Sequence, residues 1–140
     1  MSSFRYSRLV EVKGILLEQK QQALEATLNA IEGMTAELRE VESEIGTTYD
    51  QIGARCLYGK ELSTMIDHVA FLDRKKKLLS NDRAKAKSQA ETLRKDLVDL
   101  EIDLKMFEKL ETKLIKTANK AQSKKDQKLM DELALRIEGQ

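Results

Sequence analysis

Residues 52–65 read Ile52-Gly53-Ala54-Arg55-Cys56-Leu57-Tyr58-Gly59-Lys60-Glu61-Leu62-Ser63-Thr64-Met65, and within them a long seven-residue apolar repeat changes phase. Before the break, Val10, Leu17, Leu24, Ile31, Leu38, Ile45 and Ile52 stand one heptad apart. After it come Met65, Leu72, Leu79, Ala86, Leu93, Leu100, Phe107, Leu114 and Ala121. At 41% hydrophobic composition, nine consecutive hits in one frame arise by chance about three times in ten thousand. A strict heptad keeps each stripe facing a partner helix and imposes a left-handed supercoil. Gly59 lies between the two tracts, and glycine readily takes the left-handed backbone conformation that ends a helix. Folding back at 58/59 sets Ile52 against Met65, Ile45 against Leu72, Leu38 against Leu79 and Ile31 against Ala86. Leu24 then meets Leu93, Leu17 meets Leu100 and Val10 meets Phe107, each pair of numbers totalling 117. The sequence therefore predicts an all-α fold, two long helices forming an antiparallel coiled-coil hairpin. Its helices span 4–57 and 60–138, its turn lies near Tyr58-Gly59, and 1–140 is one domain.

Gly59 and the charges choose this register among those that differ by a heptad. Residues 31–50 carry Glu32, Glu37, Glu40, Glu42, Glu44 and Asp50 against Arg39. Residues 74–87 carry Arg74, Lys75, Lys76, Lys77, Arg83, Lys85 and Lys87 against Asp82. Each exposed pair contributes only about 0.2–1 kcal/mol. Together they favour antiparallel pairing within one chain over a parallel homodimer that sets like charge against like. Composition agrees with a rod-like helical protein: 140 residues, no proline, no tryptophan, 35% charged and 4% aromatic. A net charge of +1 offers no overall field for nucleic acid or an acidic membrane. No apolar run spans a bilayer, and Met1 to Arg8 lacks the apolar core of a signal peptide, so direct membrane insertion is not expected. A cytosolic location follows by default. The lone Cys56 excludes an internal disulfide.

A companion seam reads Leu62, Val69, Lys76, Arg83, Ala90, Leu97, Leu104, Glu111 and Ala118 in the second arm. In the first arm its counterpart reads Gly14, Gln21, Leu28, Thr35, Glu42, Tyr49 and Cys56. This sets Glu42 against Lys76 as a buried register pair, which penalises slippage more than it adds stability. Small and polar residues (Gly14, Gln21, Thr35, Gly46, Gly53) predict modest stability and a bend. At 1.5 Å per residue the arms reach about 80 Å and about 118 Å, so 114–138 is expected to project as a single helix. Lys109, Lys113, Lys116, Lys120 and Lys124 line one face of that segment, followed by apolar Leu129, Met130, Leu133, Ala134 and Ile137. Two readings stand for this end: a docking surface or a frayed tail.

Catalytic chemistry is nearly absent. His68 is the only histidine and lies twelve positions from Cys56, with no third group to orient a dyad. No histidines and cysteines stand at metal-ligand spacing, and no glycine loop precedes Lys-Ser/Thr. Neither an enzyme, a metal nor a cofactor is expected. Nucleic-acid binding through 74–87 is disfavoured by the facing acidic arm. Asp126, Asp131, Glu132 and Glu138 weigh against anionic lipid at the carboxyl end.

The ends carry more specific signals. Phe4-Arg5-Tyr6-Ser7-Arg8-Leu9, then Glu11 and a long Gln/Glu/Lys/Ala helix, resembles the start of flagellar FliJ proteins. Asp126-Gln127-Lys128-Leu129-Met130-Asp131-Glu132-Leu133-Ala134-Leu135-Arg136 resembles that family's closing signature. The resemblance covers essentially the whole chain, though its middle matches by pattern alone. Where the family tends to carry more aromatics near the tip, this chain has Tyr49, Tyr58 and Phe71. The resemblance implies a stalk of the flagellar type III export apparatus that inserts into the hexameric export ATPase ring and promotes its assembly and activity. It also implies contact with the cytoplasmic domain of the export-gate membrane protein and with export chaperones. For the ATPase it points to Phe4, Tyr6, Leu9, Gln127, Lys128, Met130, Asp131, Glu132, Leu133 and Arg136. The lysine stripe would meet acidic groups inside the ring. Phe71 and Leu78, a heptad apart beside the seam, stand either for gate contact or for a widened apolar seam. Two alternatives remain: a homologous stalk of a virulence-type secretion system, and a generic coiled-coil scaffold that polymerises. The free stalk is expected to be an elongated monomer.

Overall fold

In a computed structural model the chain forms two helices, α1 over Ser2–Ala54 and α2 over Lys60–Glu138, packed against each other as a helical hairpin. Residues 2–54 and 58–139 are described, with side chains from residue 5 onward. Residues 55–57, the expected last turn of the first helix with Cys56, and the Phe4 side chain lie outside the described residues. Gly59 has φ +65°, the only positive φ among the described residues. Its carbonyl accepts the Ser63 amide at 3.1 Å, so Gly59 opens α2 in addition to reversing the chain. Glu61 in the first turn of α2 and Arg136 in its last turn both oppose the helix dipole.

The chain divides into a central unit, Lys20–Asp96, and a terminal unit, Met1–Gln19 with Leu97–Gln140. In the central unit the core is Leu38, Val41, Val69, Leu72, Ala86 and Ala90, with Leu72 only 2% exposed. Thr48 is buried too, its hydroxyl donating to the Glu44 carbonyl at 2.8 Å. Leu24, Ile31, Ile45 and Ile52 of the predicted stripe are half-buried, as are Met65, Leu79 and Leu93 facing them. Antiparallel register is visible in the polar contacts. Lys76 lies 3.5 Å from Glu42, Arg83 Nη1 donates to Thr35 Oγ1 at 3.5 Å, and Lys20 lies 3.4 Å from Asp96. The paired numbers total 116 to 118, which agrees with the predicted heptad, while His68 and Glu44, nearer the turn, total 112.

In the terminal unit Leu97 is buried, and Tyr6, Val10, Lys13, Gly14 and Leu17 of α1 are half-buried. On α2, Leu100, Asp103, Leu104, Phe107, Glu111 and Leu114 are half-buried. From residue 115 to 139 every residue is exposed, Ala118 and Ala121 included, so the two stripes of α2 lose their cover after Leu114.

One expectation is corrected. The companion seam of α1 is Tyr6, Lys13, Lys20, Thr27, Met34, Val41 and Thr48, all buried or half-buried. Of the expected set, Gln21, Leu28, Glu42 and Tyr49 are exposed, and Gly14 and Thr35 are half-buried. A seam alternates steps of three and four residues, and the set that completes α1 lies three positions beyond the main stripe, not four. Glu42 is therefore a flank residue. It pairs with Lys76 in the open, at 56% and 43% side-chain exposure, and not as a buried pair. Among the described residues a Cβ added to Gly14, Gly33, Gly46 or Gly53 would meet nothing within 4 Å, so these glycines mediate no close helix approach there.

Candidate partner-binding surfaces

Exposed side chains fall into four apolar strips and one lysine stripe. In the terminal unit, Tyr6 does not stand free. Its ring lies 6.1 Å from that of Phe107, tilted by 35°, and so helps close the helix pair. Leu9 is 40% exposed and belongs to a flank with Val12, Ile15 and Leu16 on α1. On α2 of the same unit Val98, Ile102, Met106 and Leu110 are exposed at steps of four, one ridge of the helix surface. The α1 and α2 flanks escape a heptad reading because they lie off the seam; period-four spacing of Val98 to Leu110 was the available signal.

The carboxyl strip is Leu129, Met130, Leu133, Leu135 and Ile137, between 49% and 75% exposed. Gln127, Lys128, Asp131, Glu132 and Arg136 are exposed beside them. Gln127 Nε2 donates to Asp131 Oδ1 at 3.3 Å and Gln122 Nε2 to Asp126 Oδ1 at 3.3 Å, one turn apart on the same helix. Among the described residues no hydrogen bond, ion pair or ring contact joins Tyr6 or Leu9 to 127–136. Lys109, Lys113, Lys116, Lys120 and Lys124 are exposed and take part in no ion pair among the described residues. A lysine stripe without acidic cover keeps its charge directed at solvent.

In the central unit Phe71 is 55% and Leu78 is 65% exposed. They lie on the outer surface of α2, one heptad apart, and do not widen the seam. His68 is exposed as well, but reaches across to α1, its Nε2 3.1 Å from Glu44 Oε1. A groove between the helices of this unit is lined by Leu28, Ile31, Ala84, Lys87, Ala90 and Arg94. It is open along its length, without the walls that would exclude water. Among the described residues no three His, Cys, Asp or Glu side chains are grouped to hold a metal ion.

Sequence reasoning missed three cross-helix pairs, Lys13–Asp103 at 3.2 Å, Lys20–Asp96 at 3.4 Å and His68–Glu44 at 3.1 Å. Both lysines occupy seam positions, where a polarity pattern predicts apolar residues.

Fold and surfaces together define a class: an α-helical hairpin that presents strips of apolar and charged side chains along its helices. A family model described as "Flagellar FliJ protein" matches residues 2–139. The chain belongs to this flagellar FliJ family. No curated protein and no solved structure matches it. Membership makes the chain a component of the flagellar type III export apparatus, in a family of structural export proteins. No helix among the described residues is long and apolar enough to cross a membrane.

Proposed function

We propose that the chain is a non-enzymatic stalk that enters the hexameric export ATPase ring, promotes its assembly and activity, and links the ring to the export gate. Its place is cytoplasmic, peripheral to the inner membrane at the base of the flagellum, and it also receives export chaperones. The observation that carries this reading, given the family, is the uniform exposure of 115–139 with a lysine stripe followed by an apolar strip. In the proposal 114–138 projects past the paired helices and enters the ring. Lys109 to Lys124 meet acidic groups there, while Leu9, the 127–136 strip and the part of Tyr6 left uncovered by Phe107 form the contact surface. Phe71 and Leu78 serve the gate. An asymmetric helix in a six-fold hole touches some subunits and not others at any moment, and so biases their conformations without doing chemistry itself.

The test mixes the protein with its cognate ATPase and follows hydrolysis and comigration. Stimulation is expected from the full chain, and deletion of 126–140 should abolish it while leaving thermal melting nearly unchanged. Absence of stimulation and comigration, with helicity intact, refutes the stalk. A deletion that unfolds the helix pair refutes the projecting segment. Sedimentation separates the scaffold alternative, which requires polymers where the stalk requires an elongated monomer.

A further inference from the structure

In the seam of the terminal unit each helix sets a charged residue, Lys13 on α1 and Asp103 on α2, among apolar ones. α2 brings Leu100, Leu104 and Phe107, while α1 brings Tyr6, Val10, Lys13 and Leu17. Lys13 has its side chain only 26% exposed, with its ammonium 3.2 Å from Asp103 Oδ2 and 5.8 Å from the Phe107 ring centre. The aliphatic stem covers apolar surface while the ammonium points to Asp103, so this layer has less apolar contact than a leucine would give. Asp103 is 45% exposed, leaving the ion pair open to screening by salt. Leu97 is the one buried residue among those described in this unit, against Leu38, Val41, Thr48, Val69, Leu72, Ala86 and Ala90 in the central unit.

Segments with few buried contacts open at free energies far below the global value, and they do so as contiguous blocks. We propose that residues 5–19 of α1 form a strap that lifts off α2 and recloses as one cooperative segment, with Lys13 setting how often it opens. Lifting the strap uncovers Leu100, Leu104 and Phe107 while the central unit stays closed. The inference is independent of the stalk reading.

Hydrogen exchange of the full chain, followed by mass spectrometry at low urea concentrations, tests it. Amides 8–17 should share one opening rate with little urea dependence, while amides 36–48 exchange through an opening that urea strongly promotes. Lys13→Leu fills the layer and should slow all of 8–17 by about tenfold, leaving 36–48 within about twofold. Leu104→Ala empties the layer from the other side and should accelerate the same block. A smooth gradient of rates from residue 5 inward, indifferent to both substitutions, would show ordinary end fraying and overturn the strap. Exchange of 8–17 with the urea dependence of 36–48 would overturn it as well.

Discussion

Replacing Gly59 with alanine isolates the contribution of the chain reversal. Gly59 has φ +65°, and an added Cβ meets no atom of the described residues within 4 Å. The steric term from neighbours is therefore absent, and only the intrinsic penalty of the left-handed conformation remains, about 1–2 kcal/mol for an L-residue. Alanine also narrows the unfolded ensemble, which offsets about 0.4–1 kcal/mol of that penalty. The net loss should be about 0–1.6 kcal/mol, centred on about 0.8 kcal/mol, read by urea denaturation followed by far-ultraviolet circular dichroism. Gly59→Asn should lose less, because asparagine tolerates this region better than alanine. A second readout is mass in solution. A strained reversal favours straight helices that exchange partners between two chains, with every 117-type pairing preserved, so the alanine variant should show a growing dimer fraction by light scattering. A raised midpoint would refute the claim that the positive φ is needed. A loss beyond about 3 kcal/mol would refute the claim that only the intrinsic term acts.

Leu72→Ala removes the best-covered side chain of the central unit and should destabilise by about 2–3 kcal/mol, near the low end for buried leucines because two helices can close partly on the gap. A loss below about 1 kcal/mol in the same denaturation assay would mean that the seam does not hold this unit together. Lys76→Leu should leave helicity intact and stability equal or higher, yet loosen register. Disulfide trapping of Leu38→Cys against Leu79→Cys, compared with Leu38→Cys against Ala86→Cys, reads the slip of one heptad, and unchanged partition would exclude a register role.

Much of this fold is legible in the sequence because one physical requirement, a continuous apolar stripe facing its partner, fixes helix type, pairing and register together. Leu38 and Leu79, or Ile45 and Leu72, are found by spacing alone, and the acidic and basic blocks choose the heptad. The companion stripe of α1 is harder to read. Tyr6, Lys13, Lys20 and Thr27 do not look like seam residues, and Leu28 and Tyr49 in the rival set look better. Pairing resolves the choice: the α2 positions Val69, Lys76, Arg83 and Ala90 demand partners at Thr48, Val41, Met34 and Thr27 for a total of 117. The surfaces are less legible still. Exposure of Phe71 and Leu78 depends on their wheel position against the true seam, and the ridge from Val98 to Leu110 serves no packing that the heptad describes.

The spacing of partners along the chain also orders how it folds. His68 and Glu44 are separated by 24 residues, Arg83 and Thr35 by 48, Lys20 and Asp96 by 76, Lys13 and Asp103 by 90. Closing the widest of these loops directly is less favourable than closing the narrowest by about 1.2 kcal/mol of chain entropy, and each inner contact shortens the remaining loop. Assembly should therefore run as a zipper from residue 59 outward, and the last layers to close are those where lysine replaces leucine.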